Sequence, residues 1–458
     1  MNLKMGAIPV GFVSAILLGA CSSATAPSND EPVGEAKSAD SIGDFVAGGV
    51  DFNVALPGTN GRSCTTCHVP EDHFTLIPQH VAALYAKNPK DPLFNPIDAD
   101  DPTAAVPTYQ HLMAGMVRID IHLADNLDVI DANGNVITNA DRTVSVWRGV
   151  PSIENVTFTA PYQYDGRLAT LPLQADAALH AHSQIAYEPT AQVLNDISDF
   201  ERTIFSDFRA AAVGVAFDEG QSPPYYDIPV PPGSDAAAGQ VLFKTICATC
   251  HGTGTTNVVT NHAVESSVFP TLNPDGTITY DGFLPNGGAK STSFNTSLHF
   301  PTNMGDYGMA TLTMFGQIGV LPNPSGLTFP QYRIRFYTDA TRTQKSMDMP
   351  PTPPAIGLAI VPEPFSVDPG RALVSGNPYD WEGFKILQLR GISKTAPYFH
   401  DASAPDLETV LDIYSRFILG AIPALNLPFQ NPPEPGQFFN EALTPKQKAQ
   451  LIAFLQVL

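Results

Sequence analysis

The stretch CTTCH, from Cys64 to His68, has a counterpart in CATCH, from Cys247 to His251, and these two stretches decide the fold. This spacing is the signature of covalent c-type haem attachment: each thiol forms a thioether with a vinyl group on one porphyrin edge, and the histidine ligates the iron. A redox dithiol or a zinc site uses the same cysteine spacing without requiring the histidine. Chance would produce one such motif roughly 0.001 times in a chain of this composition. The attachment residues are Cys64, Cys67 and His68 for one haem, and Cys247, Cys250 and His251 for the other.

The fifth cysteine, Cys21, follows a targeting segment. Met5 to Ala20 is mostly apolar but too short and interrupted to span a membrane as a mature helix. Its ending, Leu18-Gly19-Ala20-Cys21, resembles a bacterial lipoprotein signal; the alternative is a secretory signal with an incidental cysteine. We therefore expect a signal peptide over 1–21, a tether over 22–42 and an exported protein with its lipid anchor at Cys21. Ser22 after the cysteine favours the outer membrane, with the protein facing the periplasm or the cell surface.

Composition limits the class of protein. A length of 458 residues predicts two or three domains. The formal net charge of −21 argues against nucleic acid as a partner, since phosphate binding needs clustered Lys and Arg. The acidity indicates either solubility or steering of a basic protein partner. The 43 prolines favour modest helices joined by ordered loops.

Helix signals divide the chain after its targeting segment. Ser234 is a candidate N-cap for a helix that leads into the second haem motif. The Pro-rich stretch 222–234 before it is typical of a linker. Upstream, Thr190 caps a helical pattern that runs from Val193 to Phe208, and near the end Thr444-Pro445 begins a last helix. These signals predict an N-terminal domain over 43–221 and a C-terminal domain over 235–458.

An internal repeat indicates that the two halves are homologous. Thr159–Leu171 aligns with Thr395–Leu407 without gaps, and six of thirteen positions are identical. Each copy follows its own haem motif and is preceded by an Arg-Gly pair, Arg148-Gly149 or Arg390-Gly391. Duplication is the simple explanation.

The motif TAPYFHD after the second haem motif, together with the DGR segment after the first, resembles the bacterial di-haem cytochrome c peroxidase superfamily, which includes MauG. The resemblance covers most of 43–458. It implies that the haem on His68 binds peroxide on an open face. It also implies that the haem on His251 carries a sixth ligand. The ligand position lies 17 residues beyond the Pro of the TAPY motif, which is Tyr414 here, as in MauG. The other readings are a tyrosine that only packs near the haem, and a methionine ligand: Met309, Met314, Met347 or Met349.

The resemblance also assigns residues between and beside the haems. Tyr164 stands where the family has a tryptophan electron relay, and a tyrosine can serve only if it loses a proton. Gln174 matches a distal glutamine, but Gln184 replaces the distal acid–base glutamate, and an amide cannot shuttle a proton. We therefore predict that His182 assists cleavage of the peroxide O–O bond, with His180 as the fallback; a surface or propionate-bonding histidine is the alternative.

Further ligands are implied for the haem propionates and for a calcium ion. Arg167 is the best candidate for a propionate partner, ahead of Arg148 and Arg390, because charge-assisted bonds favour arginine. By resemblance, a calcium ion between the domains takes backbone oxygens of Thr395 and Pro397, to which we add the side chain of Asn155. Trp147 and Trp381 are expected to pack in the core.

Taken together, the sequence predicts a mainly α fold with two cytochrome c-like domains, each with one covalent haem c, joined by a Pro-rich linker with long irregular loops. The predicted function is a haem-dependent oxidoreductase that takes hydrogen peroxide as oxidant. A small redox protein donor or a protein substrate would be its partner. The alternative is a membrane-tethered electron-transfer cytochrome without peroxidase activity.

Overall fold

A computed structural model describes residues 42–159, 162–218, 228–247, 251, 271–272, 278–279, 327–349, 366–385, 387, 389–419, 431 and 441–458. The predicted signal peptide with Cys21, almost all of the tether, the first part of the linker, Cys250, Met309 and Met314 lie outside these residues. Within the described part, no helix combines the length and apolarity needed to cross a membrane.

The described part of the chain is rich in helices, as expected. The α-helices are α1 Ile42–Asn53, α2 Pro78–Lys87, α3 Gln110–Met113, α4 Leu171–Ala181, α5 Ala191–Glu201, α6 Phe208–Asp218, α7 Asp235–Leu242, α8 Ala372–Ser375, α9 Leu407–Ile413 and α10 Pro445–Leu455. Three predicted caps are confirmed: the hydroxyls of Thr190, Ser234 and Thr444 accept hydrogen bonds from the third residue beyond each. Pro445 occupies the first turn of α10, where no amide hydrogen is needed.

The prediction of one helix from Val193 to Phe208 is wrong, because the chain breaks after α5 and restarts at α6. Asn155 and Thr157 donate hydrogen bonds to the carbonyl oxygens of Ile204 and Arg202. These contacts draw the backbone out of the helical path. The carboxylate of Asp207 then caps α6 by accepting from two backbone amides.

In the residues that the structure describes, three small antiparallel sheets accompany the helices, and the sequence analysis did not predict them. The strands are β1 Met116–His122, β2 Leu127–Val129, β3 Thr143–Gly149, β4 Thr271–Leu272, β5 Ile278–Thr279, β6 Ile334–Tyr337 and β7 Lys345–Met349. β1 pairs with β3, β4 pairs with β5, and the third sheet has the order β2-β6-β7. β1 and β3 alternate apolar and polar residues in part, as in MVRIDIH, and this was the available signal.

Two pairs of helices cross at glycines. α1 packs on α5 at Gly48, where an added Cβ would lie 1.9 Å from the carbonyl oxygen of Asp196. α7 packs on α10 at Gly239, where an added Cβ would lie 1.8 Å from the carbonyl oxygen of Gln450. Each haem motif follows the first helix of such a pair, so both motifs begin from a similarly tight helix crossing.

The internal repeat is also a repeat of structure. Asn155 and Gly391 both have positive φ and begin the 3-10 turns Val156–Phe158 and Ile392–Lys394. The bridges Tyr162–Leu168 and Tyr398–Ala404 then hold two equivalent loops. All these pairs have the offset of Thr159 to Thr395. The two Arg-Gly pairs do not share this offset, because Gly149 corresponds to Lys385.

Candidate haem centres and the residues between them

The first haem motif positions a histidine by its backbone. Cys64–Thr66 forms a 3-10 turn, and Nδ1 of His68 lies 3.0 Å from the carbonyl oxygen of Phe74. With Nδ1 donating to this carbonyl, Nε2 carries the lone pair that ligates a metal. Burial lowers the pKa of His68, while the carbonyls of Phe74 and Pro151 raise it. The ring is therefore neutral at pH 7, which metal ligation requires.

The two thiols of this motif face different apolar clusters. Cys67 packs against the sheet core, whose members include Leu112, Val117, Val146 and Phe336. Cys64 packs against the α4–α5 core, whose members include Phe52, Leu171, Leu179 and Ile197. Burial raises the pKa of both thiols, that of Cys67 to about 11. Two neutral thiols between two apolar surfaces fit a porphyrin better than a thiolate metal site.

The second motif repeats the arrangement. A π-helical turn over Phe243–Cys247 ends α7, and Cys247 packs against the C-terminal core. Nδ1 of His251 lies 2.9 Å from the carbonyl oxygen of Leu387, and burial lowers the pKa of the ring. Leu387 corresponds in the repeat to Pro151. The C-terminal core includes Phe243, Tyr398, Leu407, Leu411, Leu443, Leu451 and Phe454.

Among the predicted distal residues, His182 is the one whose charge contributes to lowering the pKa of His68. It ends α4, and its carbonyl oxygen accepts hydrogen bonds from Asn60 at 3.0 Å and Arg62 at 3.5 Å. The side chain keeps partial exposure, yet burial lowers its pKa.

The other distal candidates differ in their surroundings. Gln174 lies on α4 and is half-buried. His180, the fallback, is exposed and pairs with Asp176. Gln184 is also exposed, and its amide oxygen accepts from Asn60 at 3.1 Å.

Arg62 is a structural residue that the sequence analysis missed. It is 2% exposed, and its guanidinium donates to the carbonyl oxygens of Pro92 and Leu93 and, at 2.6 Å, to Asp98. Because Arg62 also reaches the carbonyl oxygen of His182, it ties the first haem motif to the end of α4. Its position two residues before Cys64 gave no signal of burial.

Tyr164 and His400 occupy equivalent positions in the repeat, and their rings meet edge to face with centroids 6.3 Å apart. The contact is framed by two equivalent hydrogen bonds. The amide of Lys385 donates to the carbonyl oxygen of Tyr164 at 2.7 Å, and the amide of Gly149 donates to that of His400 at 2.6 Å. Each repeat loop is therefore hydrogen-bonded to the segment that precedes the other loop, and the two rings meet at this junction.

Beside this pair lies a buried ion network. Arg148 is 3% exposed and donates to Asp368 at 2.7 and 3.0 Å and to Asp165 at 2.7 Å. Arg167 also pairs with Asp165 at 2.7 Å but is partly exposed, so part of its guanidinium reaches solvent or a bound group. The pKa of Asp165 lies well below its usual range because Arg167 and Arg148 outweigh the effect of burial. Lys385 is buried too, and burial lowers its pKa to about 7.

The candidates for the sixth ligand fall in different cores. Tyr414 begins a π-helical turn, packs against the C-terminal core together with Cys247, and stacks with Phe399 at a centroid distance of 6.5 Å. Met347 and Met349 lie on β7 and pack against the sheet core, with Cys67. Of these three, only Tyr414 shares a core with the second haem motif.

Of the residues predicted for calcium, Asn155 is already engaged by other groups. Asn155 is fully buried, but its side-chain oxygen already accepts from the amide of Ser206 at 3.1 Å and from its hydroxyl at 3.3 Å. Thr395 ends the 3-10 turn before Pro397, and both are half-buried. Trp147 and Trp381 are buried at 4% and 6% exposure, as expected for core residues.

Neither a family model nor a curated protein matches this sequence. Among solved structures, the chain is similar to a MauG-like protein associated with microbial copper homeostasis, at 18% identity and a TM-score of 0.40 over 93% of this chain and 90% of that one. It is similar to the hydrazine synthase of Kuenenia stuttgartiensis at 11% identity and a TM-score of 0.37, over 96% and 99% of the two chains. It is also similar to the diheme peroxidase BthA of Burkholderia thailandensis at 14% identity and a TM-score of 0.37, over 91% and 85%.

Two of these three proteins are of the class that the sequence motifs resemble, a MauG-like protein and a diheme peroxidase. The assignment of this chain as a haem protein depends on its own two motifs and on the contacts around His68 and His251.

Proposed function

We propose that this chain is a di-haem oxidoreductase that reduces hydrogen peroxide at the haem held by Cys64, Cys67 and His68. The observation that carries the proposal is His182, a titratable residue whose backbone carbonyl is bonded to Asn60 and Arg62, just before the first haem motif, and whose charge lowers the pKa of His68. A haem held at His68 supplies an iron that binds peroxide and accepts its oxidising equivalents. An electron carrier has no need of a proton-transferring group at that place.

Proton transfer is assigned to His182. Burial lowers its pKa, so its imidazole is neutral at pH 7 and can take a proton from hydrogen peroxide. It returns that proton to the departing oxygen, which leaves as water. With two electrons and two protons supplied, one peroxide yields two waters. Gln174 on the same helix is proposed to orient the peroxide through its amide, while Asn60 and Arg62 hold the backbone of His182 in place.

Electrons are proposed to pass between the two haem sites through Tyr164, with Tyr414 as the sixth ligand of the haem held by Cys247, Cys250 and His251. A phenolate ligand stabilises oxidised iron, whereas a methionine ligand raises its potential. Tyr414 therefore favours oxidation of a protein substrate over simple peroxide reduction with a small redox protein donor. Arg167 is proposed as the propionate partner.

The proposal also covers the domains of the protein, its export, its lipid anchor and a calcium ion. The mature protein would comprise two cytochrome c-like domains, 43–221 and 235–458, joined by the linker 222–234. It would be exported and attached through a lipid at Cys21. A calcium ion at Thr395 and Pro397 remains part of it, with Asn155 the weakest ligand because Ser206 already engages its oxygen.

The test is electron paramagnetic resonance of the fully haem-loaded ferric protein, before and after one-electron reduction, with peroxide reaction followed on the same sample. A high-spin signal beside a low-spin signal, with the high-spin signal consumed by peroxide, is the expected result. Two low-spin signals in the ferric protein, a remaining signal that is still low-spin after one-electron reduction, and no reaction with peroxide would reject the proposal in favour of the electron-transfer cytochrome.

A further inference from the structure

His400 is a buried histidine whose ring makes no hydrogen bond within the described part of the chain. It is 2% exposed, and neither Nδ1 nor Nε2 has a hydrogen-bond partner. The ring instead stacks on Phe384, with centroids 3.7 Å apart and an interplanar angle of 15°. Burying an unsatisfied polar ring costs free energy, so its presence calls for an explanation.

The ring that meets His400 edge to face is that of Tyr164, the proposed electron relay. The same two charged residues shift the pKa of both side chains. Arg148 lowers and Asp401 raises the pKa of each. The phenol and the imidazole therefore share one enclosed environment between the two repeat loops.

The surroundings of His400 suit a ring that is neutral at rest and gains a proton transiently. Burial and Arg148 lower its pKa, whereas Asp401 and Asp368 raise it. Nε2 lies 3.9 Å from a carboxylate oxygen of Asp368, which is bound by Arg148. The charged groups facing the ring are thus two carboxylates and one guanidinium, so an imidazolium would be formed beside a net negative charge.

We propose that His400 accepts the phenolic proton when Tyr164 gives up an electron between the two haem sites. The inference rests on the relay role proposed for Tyr164. One electron leaves the phenol for the centre oxidised by hydrogen peroxide, the O–H bond breaks, and an N–H bond forms on the imidazole. When the electron donor refills Tyr164, the proton returns. Tyrosine thereby replaces a tryptophan-type relay, which needs no base.

The test generates the oxidant without peroxide. The full haem-loaded chain is oxidised by flash–quench with a ruthenium tris-bipyridine sensitiser and a cobalt(III) acceptor. Radicals are trapped by freezing and quantified by electron paramagnetic resonance. The signal of Tyr164 is the part lost in Tyr164→Phe. We expect His400→Phe, which keeps the stack on Phe384, to lower this yield at least tenfold. We expect Tyr164 oxidation in the unaltered chain to be at least twofold slower in D2O.

A second pair of variants, made in the Tyr164→Trp protein, distinguishes proton acceptance by His400 from a packing role. In Tyr164→Trp the relay can be oxidised without proton loss, so adding His400→Phe should change the indole radical yield less than twofold. His400→Gln replaces His400→Phe if the latter does not fold. An unchanged tyrosyl yield with an unchanged isotope effect would overturn the proposal, and so would equal losses in the tyrosine and tryptophan backgrounds. If flash–quench gives the expected pattern but peroxide does not react, the proposed function fails and the role of His400 stands.

Discussion

The backbone amide of Gly149, which precedes the first repeat loop, donates a 2.6 Å hydrogen bond to the carbonyl oxygen of His400 in the second repeat loop. Its equivalent runs the other way, from Lys385 to Tyr164. Arg148, next to Gly149, lies over the ring of Phe384, its own counterpart in the repeat. The ion network of Arg148 and the proposed electron relay meet at these two hydrogen bonds. Changes that destabilise this region should therefore affect both.

Replacing Arg148 should destabilise the fold strongly. In Arg148→Met, the carboxylates of Asp165 and Asp368 stay buried, and Asp368 loses both hydrogen bonds from its cation. Breaking such a buried pair costs about 3–5 kcal/mol. The free energy of unfolding by urea, followed by circular dichroism, measures the effect. Arg209→Met, which removes a partly exposed pair with Asp207, is the control and should cost less than about 1 kcal/mol. Equal losses in the two variants would contradict the prediction.

Replacing Tyr414 should change the spin state of the haem iron held by His251 and leave the haem held by His68 unchanged. In Tyr414→Phe we expect the low-spin ferric signal to convert to high spin, because the phenol oxygen is removed while the ring packing on Phe399 is kept. Met347→Leu and Met349→Leu should leave the spectrum unchanged, since both side chains belong to the sheet core. A low-spin signal that survives Tyr414→Phe and disappears in either methionine variant would refute the assignment.

Local signals in the sequence predicted much of the architecture. The N-caps at Thr190, Ser234 and Thr444 were predictable because a side-chain oxygen before an apolar pattern satisfies free helix amides. The repeat loops were predictable from shared residues, and their equivalent bridges agree with that alignment. The break between α5 and α6 was not, because it depends on hydrogen bonds to Asn155 and Thr157, some fifty residues earlier.

The residues of the candidate site were predictable only where their chemistry fixes their spacing in the sequence. Cys64 and His68 are close in sequence because the thioether bonds form along one porphyrin edge and the adjacent histidine ligates the iron. Arg62 and Asp368 act through partners far along the chain, so no local pattern marks them. For His400 the repeat alignment is an available signal, since it places this residue at the position equivalent to Tyr164. Position in an alignment does not, however, reveal that two equivalent residues touch.

His182→Gln should slow the reaction with peroxide. The amide keeps hydrogen-bonding capacity but cannot accept the proton, and losing such a group costs about 10²–10⁴-fold in rate. His180→Gln, two residues earlier on the exposed side, is the control and should react like the unaltered protein. Stopped-flow absorbance of the haem after mixing with hydrogen peroxide provides the rates. Because burial lowers the pKa of His182, the rate in the unaltered protein should fall only below pH 6.5. A slow His180 variant beside a fast His182 variant would reverse the assignment.

Glu201→Gln should make the fold less sensitive to alkaline pH. Glu201 is 3% exposed, one of its carboxylate oxygens has no partner in the described part of the chain, and burial raises its pKa from 4.5 to about 8. The folded state therefore holds this proton more tightly than the unfolded state. That contribution to stability is fully present below pH 4.5 and is lost as the pH rises to about 8. Each pH unit in the window corresponds to about 1.4 kcal/mol at most.

The measurement is the free energy of urea unfolding of both proteins between pH 5 and pH 9. The difference between Glu201→Gln and the unaltered chain should shift in favour of glutamine by up to about 4 kcal/mol as the pH rises. Glu188→Gln, at a side chain 90% exposed, should give a difference that does not vary with pH. A pH-independent difference for Glu201→Gln as well would mean that the carboxyl is ionised in the folded protein throughout. Arg202, whose charge lowers the pKa of Glu201, would then be the cation that compensates the buried carboxylate.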